Sequence, residues 1–108
     1  MAYQQFPIVD AHCDALLDVL HGRRRLGERS QQGQADFVRL KEAGVQLQFF
    51  AVFLEGPYRQ AGALRRALLG IELFHREVES NRHLVKLIKS RRDLEELDRD
   101  RRLGVLLT

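Results

Sequence analysis

The run from Val45 to Leu54 (Val-Gln-Leu-Gln-Phe-Phe-Ala-Val-Phe-Leu) constrains this chain more than any other ten residues in it. It is rich in aromatic and β-branched residues, and after Gln48 it is apolar on both faces of a strand. A strand apolar on both faces has to be covered on both sides, which is the situation of a parallel sheet flanked by helices. Gly56-Pro57 closes the run.

The segments around it repeat the same alternation. Phe6 to Val9 is a short apolar run, and Pro7, lacking an amide hydrogen, belongs at its very start. Leu16, Leu17, Val19 and Leu20 predict one or two helical turns stopped near Gly22, followed by a polar loop to Gly33 that is long for a compact domain and so expected to be functional or mobile. Ala35 to Ala43 reads as a helix, with Gly44 where a helix end needs a left-handed residue. Tyr58 to Ser80 predicts a long amphipathic helix, its stripe drawn from Ala61, Leu64, Leu68, Ile71, Phe74 and Val78. Leu84 to Ile88 is apolar but too short for periodicity to choose between helix and strand. Ser90 and Asp93 have capping-box spacing ahead of a helix over Arg91 to Asp100 that buries Leu94 and Leu97. Gly104 to Thr108 is a second buried-strand signal. Strands alternating with helices predict one parallel α/β domain over residues 1–108. A complete (β/α)8 barrel takes roughly 200 residues or more, so the chain suits either a small open sheet or part of a barrel.

Composition narrows the function classes. The net charge of +3 comes from 18 basic against 15 acidic residues. Arg23-Arg24-Arg25, Arg65-Arg66, Arg91-Arg92 and Arg101-Arg102 carry most of the surplus, and the last two clusters alternate with Asp93, Glu95, Glu96, Asp98 and Asp100. Mixed signs describe a solvated surface rather than a nucleic-acid face. No apolar run is long enough to span a membrane, and Met1 to Val9 lacks the cationic start of a secretory signal. The single Cys13 can form no internal disulfide, which fits a cytoplasmic setting.

Chemistry concentrates in Asp10-Ala11-His12-Cys13-Asp14. Alternate residues of a strand share a face, so His12 and Asp14 can converge on one ion while Cys13 points away. Imidazole and carboxylate together suit zinc and related divalent metals. The competing reading makes Asp10 and Asp14 caps of the following helix and His12 a satisfied polar residue. Zinc takes at least three protein groups as a rule, and the spacing supplies two. Cys13, at a strand-to-helix turn, is a possible nucleophile, although a structural role beside the metal suits it better. Of His21, His75 and His83 only His75 has partners at helical ligand spacing, Glu72 and Glu79, and surface or half-buried histidines are the plainer reading of all three; no phosphate loop or nucleophile elbow is present.

Ile8-Val9-Asp10-Ala11-His12-Cys13-Asp14 resembles the opening strand of the membrane (renal) dipeptidase family of zinc peptidases. Leu40-Lys41-Glu42-Ala43-Gly44-Val45 with Gln48 to Phe53 is similar to that family's second strand and its lead-in. Ile71 to Arg76 resembles its long second helix, and Arg102 to Thr108 its third strand. The resemblance implies the opening three strands or so of a (β/α)8 metal-dependent hydrolase barrel, with His12 and Asp14 as metal ligands and Asp10 orienting the histidine. It implies two zinc ions in the whole protein and hydrolysis of a dipeptide by a zinc-activated bridging water. It places the bridging glutamate, later histidines and substrate-binding groups after Thr108, so no catalytic residue is assigned here, and His75 and Glu55 match no ligand position. The 108-residue chain alone is then expected to bind zinc poorly, to be inactive, and to self-associate through open sheet edges. No nucleic-acid or membrane partner is expected. The alternative is a small non-enzymatic α/β module that binds an acidic partner through its arginine clusters. A remnant without activity is the third reading.

Overall fold

The computed structural model describes residues 6–108. In chain order these form β1 (Ile8–Asp10), α1 (Leu16–Leu20), α2 (Phe37–Glu42), β2 (Val45–Phe50), a 3-10 turn at Gly56–Tyr58, α3 (Ala63–Ser80), β3 (Val85–Leu87), α4 (Arg91–Glu96) and β4 (Leu103–Leu107). The strands make one sheet in the order β1-β2-β4-β3, with every neighbouring pair parallel. The α/β class and the parallel pairing are as the sequence predicts. The ambiguous run at Leu84 to Ile88 resolves as β3, so the sheet has four strands where about three were expected.

Three boundaries differ from expectation, each for a local reason. The ladder of β2 stops at Phe50 instead of Leu54, since β1 ends opposite Gln48 and β4 opposite Phe50. Past it, only Ala51 N–H to Cys13 O (2.9 Å) and Val52 N–H to Thr108 O (3.0 Å) extend the pairing. The long helix begins at Ala63 rather than Tyr58, since Gly62 holds a left-handed φ of 79° between it and the proline-containing turn. The final helix ends at Glu96 with Leu97 as its C-cap, and only one of its two leucines is covered: Leu97 is buried, while Leu94 is 45% exposed.

Phe37 of α2, Phe50 of β2 and Phe74 of α3 are fully buried and form the centre of the core. Phe37 meets Phe50 edge-on at 5.8 Å, and Phe50 lies 6.0 Å from Phe74. Leu16, Leu26, Val85, Leu103 and Val105 complete this layer. The expected stripe of α3 is buried only in its second half: Phe74 and Val78 are inside, but Leu64 is 73% and Leu68 56% exposed.

The glycine-punctuated segment between α1 and α2 is irregular but pinned, not loose. The Arg24 guanidinium donates to Asp18 Oδ2 (2.8 Å) and Ala35 O, the buried Glu77 of α3 accepts from Leu26 N–H (2.9 Å) and Arg25 (3.0 Å), and Leu26 enters the core. Asp36 then caps α2 by accepting from Arg39 N–H at 2.7 Å, and Gly44 takes φ 89° just past that helix, as expected.

Candidate metal centre

The pair proposed from spacing is together in space. His12 Nε2 lies 3.2 Å from Asp14 Oδ1, both side chains about half exposed. They do not stand on a strand, as alternation implied. β1 ends at Asp10, and both residues belong to the irregular turn that carries the chain from the carboxyl end of β1 into α1. The turn is held from below, where Cys13 O accepts from Ala51 N–H, and from behind, where Asp14 O accepts from Leu17 N–H at 3.0 Å. Carboxyl ends of parallel strands are where α/β enzymes gather their chemistry.

The capping alternative is not what the side chains do. Ala15 occupies the N-cap of α1, which has no side-chain capping bond, and the Asp14 carboxylate faces His12 instead. Asp10 reaches the pair differently from expectation. Its Oδ1 accepts from the backbone N–H of His12 at 3.5 Å, and its Oδ2 accepts from Gln48 Nε2 at 2.8 Å, so it steadies the histidine's main chain.

Cys13 points away from the pair, against the core. Burial pushes its thiol above the ordinary range, and the Asp10 and Asp14 carboxylates add to the rise, outweighing a hydrogen bond from the Ala15 backbone. A protonated thiol in that position is a poor nucleophile. A shallow cavity of about 330 Å³ lined by Cys13, Asp14, Asp18 and Arg24 opens beside the turn, and a larger one of about 410 Å³ lies at the far side around Arg82, Val85 and Arg102.

The donor set fits one edge of a divalent-ion site. Two ligands about 2.0–2.2 Å from a tetrahedral zinc stand roughly 3.4 Å apart, close to the 3.2 Å between His12 Nε2 and Asp14 Oδ1. Among the described residues no third histidine, cysteine, aspartate or glutamate joins them. His75 and His83 are exposed on other elements. His21 pairs with Glu55 at 3.0 Å, and Glu55 in turn with Arg66 at 3.1 Å, a cluster beyond β2 that spacing did not suggest. These two bonds hold the Glu55 carboxyl below its usual range.

A family model described as membrane dipeptidase, peptidase family M19, matches residues 2–108. The chain belongs to the membrane dipeptidase family. A crystal structure titled as a dipeptidase, a metallopeptidase of family M19, superposes with a TM-score of 0.82 at 21% identity. The match covers 94% of this chain and 34% of that one, so the chain spans about a third of the length of the solved dipeptidase. At that identity the likeness shows the fold: the parallel α/β portion of a dipeptidase barrel. No curated protein matches.

The arginine clusters are largely paired with carboxylates of the chain itself, most of them at the surface. Among their members Arg23, Arg24, Arg25, Arg66, Arg91, Arg92 and Arg102 are each ion-paired with a nearby carboxylate. No helix among the described residues is long and apolar enough to cross a membrane.

Proposed function

We propose that this chain is the part of a metal-dependent dipeptidase that supplies His12 and Asp14 as two of its metal ligands. The observation that carries the reading is their 3.2 Å convergence at the carboxyl end of a parallel strand, in a chain of the membrane dipeptidase family. A bound divalent ion, zinc by the chemistry of these donors, supplies Lewis acidity to a peptide carbonyl and to a hydrolytic water.

The chain's own residues have narrower tasks. His12 offers an imidazole nitrogen and Asp14 a carboxylate oxygen, and the backbone bonds of the turn fix the distance between them. Asp10 holds the His12 amide. The half-buried Cys13 anchors the turn to the core from the opposite side. Two ligands make a weak site, so the 108-residue chain binds zinc poorly and hydrolyses nothing on its own. The second ion, the proton donor to the leaving amine and the groups that grip the dipeptide are supplied from outside these residues. A cytoplasmic setting fits the lone thiol.

The test is dipeptide hydrolysis by the natural gene product at its full length, purified with zinc, against a His12→Ala, Asp14→Ala double variant. Hydrolysis with about two zinc ions per chain, lost in the double variant, is the expected result. Full activity in the double variant contradicts the assignment. Turnover by the isolated 108 residues contradicts the claim that they are insufficient.

A further inference from the structure

Gln48 is polar at the centre of the sheet, opposite Asp10 in the β1–β2 register and opposite Val105 on the other side. Its side chain is fully buried. The amide nitrogen has an excess of acceptors: Asp10 Oδ2 at 2.8 Å, Phe49 O at 3.1 Å and Asp10 O at 3.4 Å. The amide oxygen, by contrast, is buried without any partner. Turning the amide over does not relieve this, because it sets that oxygen against the same three acceptors.

A half-satisfied amide is a poor way to fill a core, since an apolar side chain of similar size strands no oxygen. What the amide does, and methionine cannot, is hold a carboxylate. Asp10 Oδ2 is fixed by Gln48 and its Oδ1 receives the His12 N–H, so one carboxylate joins the central strand to the turn bearing His12 and Asp14. Groups behind metal ligands set their orientation and the affinity that follows.

We infer that Gln48 is a positioning residue which, through Asp10, holds the His12–Asp14 turn in ligand-ready geometry. The inference rests on the metal-ligand reading of that pair. It concerns the geometry of the turn before any ion arrives, so part of its test is independent of metal.

The experiment compares the 108-residue chain with its Gln48→Met variant, with Gln48→Leu as a second apolar replacement should methionine pack badly. Three quantities are measured: hydrogen exchange of the His12 amide without zinc, the zinc dissociation constant read from the His12 imidazole resonances, and the melting temperature. Expected are His12 exchange faster by about tenfold, zinc binding weaker by about tenfold, and a melting temperature unchanged or raised. Asp10→Ala should accelerate the same amide, and the Asp10→Ala, Gln48→Met double variant should add nothing further. Unchanged His12 exchange in Gln48→Met overturns the inference. So does a lowered melting temperature with exchange faster throughout the chain, because that is a core defect. If the parent chain shows no zinc binding at His12, the metal-ligand reading fails, and the amide exchange still decides whether Gln48 positions the turn.

Discussion

At the scale of single residues, Gly104 shows how little room this chain has. A Cβ on Gly104 would stand 2.7 Å from Leu97 Cδ2, 3.1 Å from Leu47 Cδ1 and 3.2 Å from the Gln46 carbonyl oxygen. Leu97 is buried against β4 because position 104 is bare. Gly104→Ala should therefore destabilise the chain by about 1–3 kcal/mol in urea unfolding. An unchanged midpoint would mean that Leu97 can move aside freely. That His12 and Asp14 stand together was legible as sequence, because they lie two residues apart. Its local geometry was not: whether β1 reaches Asp14 depends on where its pairing with β2 ends, and that falls at Gln48, far along the chain. Gln48 left one visible trace, as the last polar residue before six apolar ones. Its partner Asp10 is 38 positions away and no local pattern links them.

Among elements, α4 was announced by its N-cap and α2 by the glycine after it, while the faces of α3 and α4 differ from expectation. Ser90 and Asp93 behave nearly as predicted, Asp93 N–H donating to Ser90 Oγ at 3.2 Å, although the Asp93 carboxylate accepts from Lys89 N–H instead of from the N-cap itself. Leu64, Leu68 and Leu94 fit apolar periodicities yet face outward, since periodicity names a face without naming what covers it. The buried half of α3 meets the sheet through Phe74 and Phe50, and Phe50→Ala should cost about 3–5 kcal/mol of folding stability, measured by chemical denaturation.

Acid should loosen the joint between α4 and β4. Hydrogen bonds from the Arg102 guanidinium, aided by its backbone N–H, lower the Asp100 carboxyl from 3.8 to about 2. A folded value below the unfolded one stabilises the chain above pH 3.8 and loses that contribution as pH falls towards 2. Arg102 also donates to Arg82 O at 2.9 Å, so the pair ties the approach of β3 to the start of β4. Arg102→Met should lower stability near neutrality by about 1 kcal/mol, the partial exposure of the pair being allowed for, and should flatten the acid limb below pH 4. A variant with the parent's acid limb would show that Asp100 is not its source.

At the scale of the whole molecule, the α/β class followed from strands and helices alternating along the chain. Its membership of a larger family followed from a motif and three further segments in the right order. The sheet's outer strands, β1 and β3, have no second neighbour among the described residues, and Leu64 and Leu68 stand exposed on α3. Open edges and apolar patches recruit partners. The isolated 108 residues should therefore sediment as more than a monomer at micromolar concentration, and Leu64→Glu with Leu68→Glu should shift the population towards monomer. A monodisperse monomer contradicts this.

The central claim is that His12 and Asp14 are one edge of a metal site. It is tested most directly by titrating zinc into the chain while following the His12 imidazole, beside the His12→Ala, Asp14→Ala double variant followed through its backbone amides. Weak, saturable binding that shifts His12 first and is absent from the double variant is the predicted result. Zinc bound equally well by the double variant, or saturating elsewhere while His12 stays unmoved, would contradict it.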